Sequence, residues 1–182
     1  IAFEPTDFAF NKLKRNLLLN PSLQSRVAAV QALLVAKADQ EKPDEIPSSW
    51  SLEAPSMGET IHPVHKGTYN TLKGAASIQL DQWVEENKLE RLDFIKMDVD
   101  GFEIDVLEGA KQTLNRYRPR IMMEFAPYVY AERGRSFAEL IKLLLESKYQ
   151  AQEVGGKKLE LSPSLERKIR HGGSINVILN PS

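Results

Sequence analysis

The feature that most constrains the fold of this chain is a strand, helix and strand pattern in its second half. An apolar strand is predicted over Leu92–Val99 and ends at Gly101, and a helix is predicted over about 103–117. Pro119 then precedes a second apolar strand at 121–125. Together these elements form a βαβ unit, which predicts an α/β fold with at least one parallel strand pair.

The same alternation continues over most of the chain, with turn and capping residues between the elements. Repeated alternation of this kind predicts a mostly parallel twisted sheet with helices on both faces. The further predicted elements are a strand at 1–3, a helix opened by Thr6 or Asp7, a strand in the first half of 27–35, a helix capped by Asp81, a helix after the capping box Ser136–Glu139, and strands at 149–154 and 174–179 joined through a turn at Gly155 and Gly156.

Composition and length fit one ordinary domain over residues 1–182, interrupted by an irregular insertion or substrate loop over 39–74. The 24 basic and 25 acidic residues are scattered, which gives no electrostatic footprint for nucleic acid or an anionic membrane. No apolar stretch is long enough to cross a bilayer, so a soluble, cytoplasmic protein is expected. The absence of cysteine excludes disulfides, thiolate metal sites and cysteine nucleophiles.

Acidic side chains follow three of the predicted strands, where ligands bind in open α/β sheets. Glu4 follows the first strand, Asp98 and Asp100 end the strand at 92–99, and Glu124 ends the next. A carboxylate after an early strand can accept two hydrogen bonds from the vicinal hydroxyls of a ribose. Glu4 fits that role, but an acid there also caps the following helix through the helix dipole.

The segment IKMDVDGFE at 95–103, followed by VLEGA at 106–110, resembles the signature of the FkbM-like methyltransferases. The usual form of that signature is I-K-x-D-V-E-G-x-E followed by V-L-x-G-A. The segment AFEP at 2–5 agrees with it. The resemblance implies a Rossmann-like class I methyltransferase fold with a reversed final strand. It also implies S-adenosylmethionine as cofactor and methyl transfer to a hydroxyl oxygen of a small molecule or sugar.

The resemblance also implies roles for particular residues. Asp98 is expected near the methionine end of the cofactor and the acceptor, although it can instead cap the turn at Gly101. The other implied contacts are Glu4 with the cofactor ribose, Gln31 and Ala32 with the adenine, and Lys96, Asp100 and Glu124 with the substrate side of the site.

Two histidines of the 39–74 stretch, His62 and His65, are candidate bases if that loop folds over the site, because imidazole titrates near neutrality. The alternative is that they are ordinary loop histidines. Asp98, Asp100 and Glu103, together with Glu124, offer oxygen ligands for a divalent cation, but Glu103 also suits the positive end of a helix, and no metal is assigned.

Two departures from the family pattern bear on these expectations. Asp100 stands where Glu is commoner, and no residues match the first strand and the loop like D-V-G-A-N-x-G of the family. The chain, which begins at Ile1, is therefore interpreted as the C-terminal part of the domain. The missing central strand would pair with the strands that end at Glu4 and Asp98. A native upstream segment, or a strand of a second copy in a homodimer, is expected to fill that gap.

Two other functions remain open from the residues. The chain is either a non-catalytic remnant or interaction module that keeps the fold without binding the cofactor, or a nicotinamide-dependent oxidoreductase, since an acid after a strand also marks that fold. The long signature through Gly109 and Ala110 disfavours the oxidoreductase.

Overall fold

The computed structural model describes residues 1–47, 61–65 and 67–182. These residues group into two compact units, Ile1–Ile78 and Gln79–Ser182. The interpretation of the whole chain as one domain stays a prediction. In the described part of the chain, every helix is too short or too polar to cross a membrane.

The first unit is built from short strands in three two-stranded sheets. The pairs β1–β2 and β3–β6 are parallel, and β4–β5 is antiparallel. The elements are β1 (Ala2–Phe3), α1 (Asp7–Leu18), α2 (Pro21–Gln24), β2 (Ala29–Val30), β3 (Ala32–Leu34), β4 (Glu45–Pro47), β5 (Tyr69–Thr71) and β6 (Ala76–Ile78).

The local sequence correctly predicted the start of α1, but it predicted the strands of the first unit only in part. Thr6 caps α1 as predicted, with its hydroxyl accepting the Ala9 N–H at 3.3 Å. The predicted strand at 27–35 is two strands, β2 and β3, separated by Gln31. Within the 39–74 stretch, the pairing of β4 with β5 shows that the described part is not wholly irregular. The role of that stretch as a substrate loop stays a prediction, and residues 48–60 and 66 lie outside the described residues.

The second unit contains a five-stranded sheet with strand order β10, β9, β11, β8, β7. In this sheet only β7 and β8 are parallel neighbours, and the final strand β11 is antiparallel to both β8 and β9. The elements are α3 (Leu80–Glu86), β7 (Phe94–Met97), α4 (Glu103–Glu108), α5 (Lys111–Tyr117), β8 (Arg120–Phe125), α6 (Pro127–Tyr130), α7 (Phe137–Glu146), β9 (Tyr149–Glu153), β10 (Lys158–Leu159) and β11 (Ile175–Pro181).

The α/β class is confirmed, and so is a reversed final strand. The mostly parallel sheet is not confirmed, because the described sheets are small and mixed. In the second unit, the sheet is mixed because two features add antiparallel pairs. β10 pairs with β9 as a hairpin, and β11 inserts between β8 and β9. Among the described residues β7 is an edge strand, and Phe94 on it is 52% exposed.

The core of the second unit follows the two periodicities of its elements. In β8 alternate side chains are buried, and in α7 the buried residues recur at helical spacing, as expected for one apolar face of each element. The buried residues of these strands and this helix include Ile121, Met123 and Phe125 of β8, Leu140, Ile141 and Leu144 of α7, and Val177 and Leu179 of β11.

One predicted helix is divided, and one predicted cap serves a different helix. The helix expected over 103–117 is broken into α4 and α5 at Gly109 and Ala110. Asp81 does not cap α3. Its carboxylate instead accepts the N–H groups of Gln112 and Thr113 at 3.0 and 2.7 Å, which satisfies the first turn of α5.

Candidate functional site

In the first unit, the carboxyl ends of β1 and β2 form what we call the first edge. Phe3 and Val30 are register partners in this parallel pair, and the Glu4 N–H donates to the Val30 carbonyl at 3.1 Å. Glu4 and Gln31 each follow one of these partners. Both polar side chains therefore begin at the same edge, as predicted for residues just past parallel strands.

The Glu4 carboxylate has a structural role at the first edge. Its Oε1 accepts the Thr6 N–H at 2.8 Å and the Thr6 hydroxyl at 2.6 Å. The helix-capping alternative for Glu4 is therefore realised at the start of α1. A carboxylate offers about four lone-pair positions, so this does not use all of its accepting capacity. The ribose contact stays a prediction.

Gln31 is also tied to the start of α1. Its Nε2 donates to Asp7 Oδ1 at 2.5 Å, and the same oxygen accepts the Gly74 N–H at 3.0 Å. A Cβ at position 74 would lie 2.7 Å from Asp7 Oδ1, so glycine permits this close approach. Ala32 is only 1% exposed, which leaves Gln31 as the polar member of the predicted adenine pair.

His62 and His65 lie together in the first unit. Their ring centroids are 4.8 Å apart, and His65 is buried. His62 Nδ1 accepts the N–H groups of Val64 and His65 at 3.3 and 3.1 Å, so this nitrogen carries no proton in that arrangement. Nδ1 thus holds the local turn. The role of either histidine as a base stays a prediction.

In the second unit, the carboxyl ends of β7 and β8 form what we call the second edge. Met97 and Met123 are register partners, and Asp98 and Glu124 follow them on neighbouring strands. The register thus brings these two predicted site residues to the same edge. Glu124 lies within β8 and accepts a hydrogen bond from the hydroxyl of Ser174, the residue directly before β11.

Asp98 is paired with the predicted substrate residue Lys96. The Lys96 Nζ lies 2.6 Å from Asp98 Oδ2, and both side chains are more than half exposed. An ion pair this exposed adds little stability because water screens it. The pairing can still orient the Asp98 carboxylate at the second edge.

Asp100 occupies a tight turn between β7 and α4. The turn Val99–Phe102 is closed by the Phe102 N–H on the Val99 carbonyl at 3.1 Å. Its central residues Asp100 and Gly101 have φ values of 47° and 96°, as in a type I′ turn, for which Asp-Gly is a preferred pair. This backbone requirement accounts for Asp in place of the commoner Glu. The contact of Asp100 with substrate stays a prediction.

Sequence reasoning gave Tyr128 no specific role at the second edge. It lies in α6, directly after β8, and is 36% exposed. Burial first, and then the negative charges of Glu124 and Asp100, raise the pKa of its hydroxyl. Tyr128 therefore lies near the acidic groups of the second edge. Its position just past a strand was the only sequence signal for it.

Glu103 is the second residue whose role was missed. It is 3% exposed and is the first residue of α4. Burial raises its pKa to about 7, outweighing the lowering effect of nearby backbone N–H groups. The available signal was its place as the last residue of the signature, which was interpreted only as a helix start or a cation ligand.

Comparisons with known proteins agree with the resemblance. A 40-residue stretch is 50% identical to the 2-O-methyltransferase NoeI of Sinorhizobium fredii and covers 22% of this chain and 16% of that protein. The fold is similar to that of the methyltransferase FkbM from Methylobacillus flagellatus KT, with a TM-score of 0.53 at 15% identity. That likeness covers 97% of this chain and 35% of the other.

The chain thus spans far less than two thirds of the length of either relative. The profile of the methyltransferase FkbM domain matches residues 1–151, which include the first edge, the second edge and the signature. The resemblance noted in the sequence is confirmed, and the chain belongs to the FkbM methyltransferase domain family.

Proposed function

We propose that this protein transfers the methyl group of S-adenosylmethionine to a hydroxyl oxygen of a small molecule or sugar, on a Rossmann-like class I fold. Membership of a methyltransferase family supports methyl transfer. The observation that carries the proposal further is the register of β7 and β8, which brings Asp98 and Glu124 to one edge beside the turn at Asp100.

The first edge has side chains suited to the cofactor. The Glu4 carboxylate accepts two bonds from Thr6 and retains capacity for hydroxyl donors, so its chemistry fits a ribose diol. Gln31 begins at the same edge with an amide that both donates and accepts, which suits an adenine ring. When bound, S-adenosylmethionine supplies a methyl carbon activated by a positively charged sulfur.

The second edge has side chains suited to a hydroxyl acceptor. Asp98 is exposed enough to accept a hydrogen bond from the acceptor hydroxyl and to take its proton as the new carbon–oxygen bond forms. Lys96 orients that carboxylate through the 2.6 Å ion pair. Glu124 and Tyr128 add an acceptor and an aromatic ring at the same edge, a combination suited to a polyhydroxylated molecule.

The test is calorimetric titration of S-adenosylmethionine and S-adenosylhomocysteine into the full-length protein, its Glu4→Ala variant and a matched Thr6→Ala variant. Both substitutions disturb the same cap of α1, but only Glu4→Ala removes the proposed ribose acceptor. Loss of hydrogen bonds to a charged group costs about 1.5–3 kcal/mol, so we expect roughly 10- to 100-fold weaker binding in Glu4→Ala and a small change in Thr6→Ala.

Equal weakening by both variants would assign Glu4 to capping alone. Failure of the full-length wild-type protein to bind either compound would contradict the cofactor proposal and favour a non-catalytic interaction module.

A further inference from the structure

One part of the first unit carries basic charge without acid. Residues 8–38 contain five basic side chains and no aspartate or glutamate, although the whole chain has 24 basic and 25 acidic residues. The balanced total therefore conceals a local excess of positive charge. Lys14, Arg15 and Arg26 of this stretch are exposed. The excess thus lies at the surface around α1 and α2.

The packing of α1 is explained by one of its faces. Phe10, Leu13 and Leu17 recur at helical spacing and are partly buried. The helix contacts β2 and β5 of the same unit. This face accounts for how α1 is held, so the apolar side chains on its other face need a separate explanation.

The outward face of α1 alternates large apolar and basic side chains. Phe8, Lys12, Arg15 and Leu19 follow one another at spacings of four, three and four residues, which places them on one side of the helix. Phe8 is 45% exposed and Leu19 is 69% exposed. Lys12 Nζ lies 4.1 Å from the centroid of the Phe8 ring, so charge and apolar surface are direct neighbours.

This mixed surface continues over the connection to α2. Leu18 is 66% exposed and Leu23 is 41% exposed. The Leu23 N–H donates to the Asn20 carbonyl at 2.8 Å, which holds the turn between the two helices. Beyond α2, Arg26 Nε donates to the Ser22 carbonyl at 3.0 Å, so its guanidinium stays beside this turn.

The α1–α2 surface is the name we give to this set of outward side chains. It consists of Phe8, Lys12, Arg15, Leu18, Leu19, Leu23 and Arg26. Single exposed apolar residues are normal in proteins, but several of them interleaved with charge of one sign form a pattern. Large apolar side chains beside Lys and Arg are typical of helices that lie in a membrane interface.

The chemistry of the α1–α2 surface favours lipid over other polyanions. A nucleic acid is bound by basic side chains through its phosphates, which leaves the exposed leucines unexplained. A lipid interface accounts for both kinds of side chain. Leucine and phenylalanine enter the boundary of the acyl chains, whereas Lys and Arg extend their charged ends to anionic headgroups.

We propose that the α1–α2 surface is a peripheral docking site for an anionic lipid surface. Its apolar side chains enter the headgroup boundary, and its basic side chains bind lipid phosphates. The inference does not depend on the proposed methyl transfer, because the α1–α2 surface includes none of the residues assigned to cofactor or acceptor.

The experiment measures how the full-length protein sediments with vesicles of phosphatidylcholine alone and with vesicles that contain about one quarter phosphatidylglycerol. One double variant, Leu18→Ser with Leu19→Ser, removes apolar side chains. Another, Arg15→Glu with Arg26→Glu, reverses charge. The matched control, Lys142→Glu with Leu145→Ser, makes both kinds of change at exposed positions of α7.

Wild type should bind the anionic vesicles at least about 10-fold more tightly than the neutral ones, because each basic side chain near an anionic leaflet raises binding about fivefold. The leucine variant should bind the anionic vesicles at least about 10-fold more weakly than wild type, since it loses the apolar groups that enter the interface. The charge-reversed variant should bind them no better than neutral vesicles. The α7 control should match wild type.

Failure of wild type to bind anionic vesicles would overturn the proposal, and so would an equal loss in the α7 control. Binding that the leucine variant retains, together with retention on heparin that depends on the arginines, would assign the α1–α2 surface to a soluble polyanion instead. The altered side chains are exposed, and circular dichroism checks that each variant is folded. If the leucine pair does not fold, Leu19→Ser alone takes its place with the same expected direction.

Discussion

The first and second edges use acidic side chains in opposite ways. At the first edge, Glu4 follows its strand directly and its carboxylate is bound to Thr6 at the start of α1. At the second edge, the acid at the start of the following helix is Glu103, which opens α4 and is 3% exposed. Asp98, which follows β7 as Glu4 follows β1, remains more than half exposed beside Lys96.

The difference teaches that a carboxylate at a strand end is more available for ligands when it does not also cap the following helix. Where the edge residue itself caps the helix, its substitution mixes structural and functional effects. Where the acid at the helix start and the exposed acid at the strand end are different residues, the two effects can be separated by choosing which acid to change.

The largest expected effect is on stability in Glu103→Ala. Its side chain is 3% exposed, so truncation leaves a cavity at a buried site, and it also removes an acidic group from the first turn of α4. We expect the free energy of unfolding of the full-length protein to fall by about 3–4 kcal/mol, against about 1 kcal/mol for Glu4→Ala, a loss typical of a helix cap. Urea titration measures both, and equal losses would remove the contrast between the two edges.

The pH dependence of stability should show the second largest effect. Glu103 has a folded-state pKa raised to about 7 from an ordinary 4.5. Its contribution is therefore fully present below pH 4.5 and is lost as the pH rises through about 7, with a total change of about 3 kcal/mol.

Glu103→Gln does not titrate, so the difference in unfolding free energy between wild type and this variant should shrink over that pH range. The charged or titratable groups that face Glu103 are Asp100 and Tyr130. A difference that stays constant from pH 4.5 to 8 would contradict the raised pKa of Glu103.

A smaller effect is expected at the first edge from Gly74→Ala. The new Cβ would lie 2.7 Å from Asp7 Oδ1 and from Gln31 Nε2, so it must push these flexible side chains apart and weaken their hydrogen bond. We expect a loss of about 1 kcal/mol in urea titration. Gly155→Ala is the matched control, because nothing lies within 4 Å of its Cβ and its φ is not positive. A neutral Gly74→Ala would mean that the Asp7–Gln31 contact contributes nothing.

The smallest effect on stability is expected from Lys96→Ala. The ion pair with Asp98 is exposed, and such pairs contribute about 0–1 kcal/mol. Thermal unfolding should therefore hardly change. A clear loss of stability would mean that Asp98 is a structural residue like Glu4, and would weaken its assignment to the substrate.

The sequence identified the strand ends and their acids because these depend on local patterns. It predicted a cap at Thr6 or Asp7, of which Thr6 is the cap, and the end of β8 at Phe125, but it placed the end of β7 at Val99, two residues beyond Met97. Those patterns extend over only a few residues, so they can be read without knowing which strands become neighbours.

Contacts between distant residues could not be predicted in this way. Asp81 accepts the Thr113 N–H from 32 residues away, and Ser174 reaches Glu124 from 50 residues away. An acidic residue at the start of a helix gives the same local sequence pattern whether its carboxylate caps that helix or a distant one. For Glu103, burial in the folded unit raises its pKa, and no local pattern records that burial.

The place of β11 has a consequence for how the chain folds during synthesis. It is the last described strand in sequence, yet it lies in the sheet between β8 and β9. Until its residues leave the ribosome, two strands made earlier have no partner on their inner sides. Long-range pairing of this kind is slow and exposes strand edges meanwhile. The second unit should therefore complete its sheet only after β11 is synthesised, which makes chaperone binding most useful late in translation.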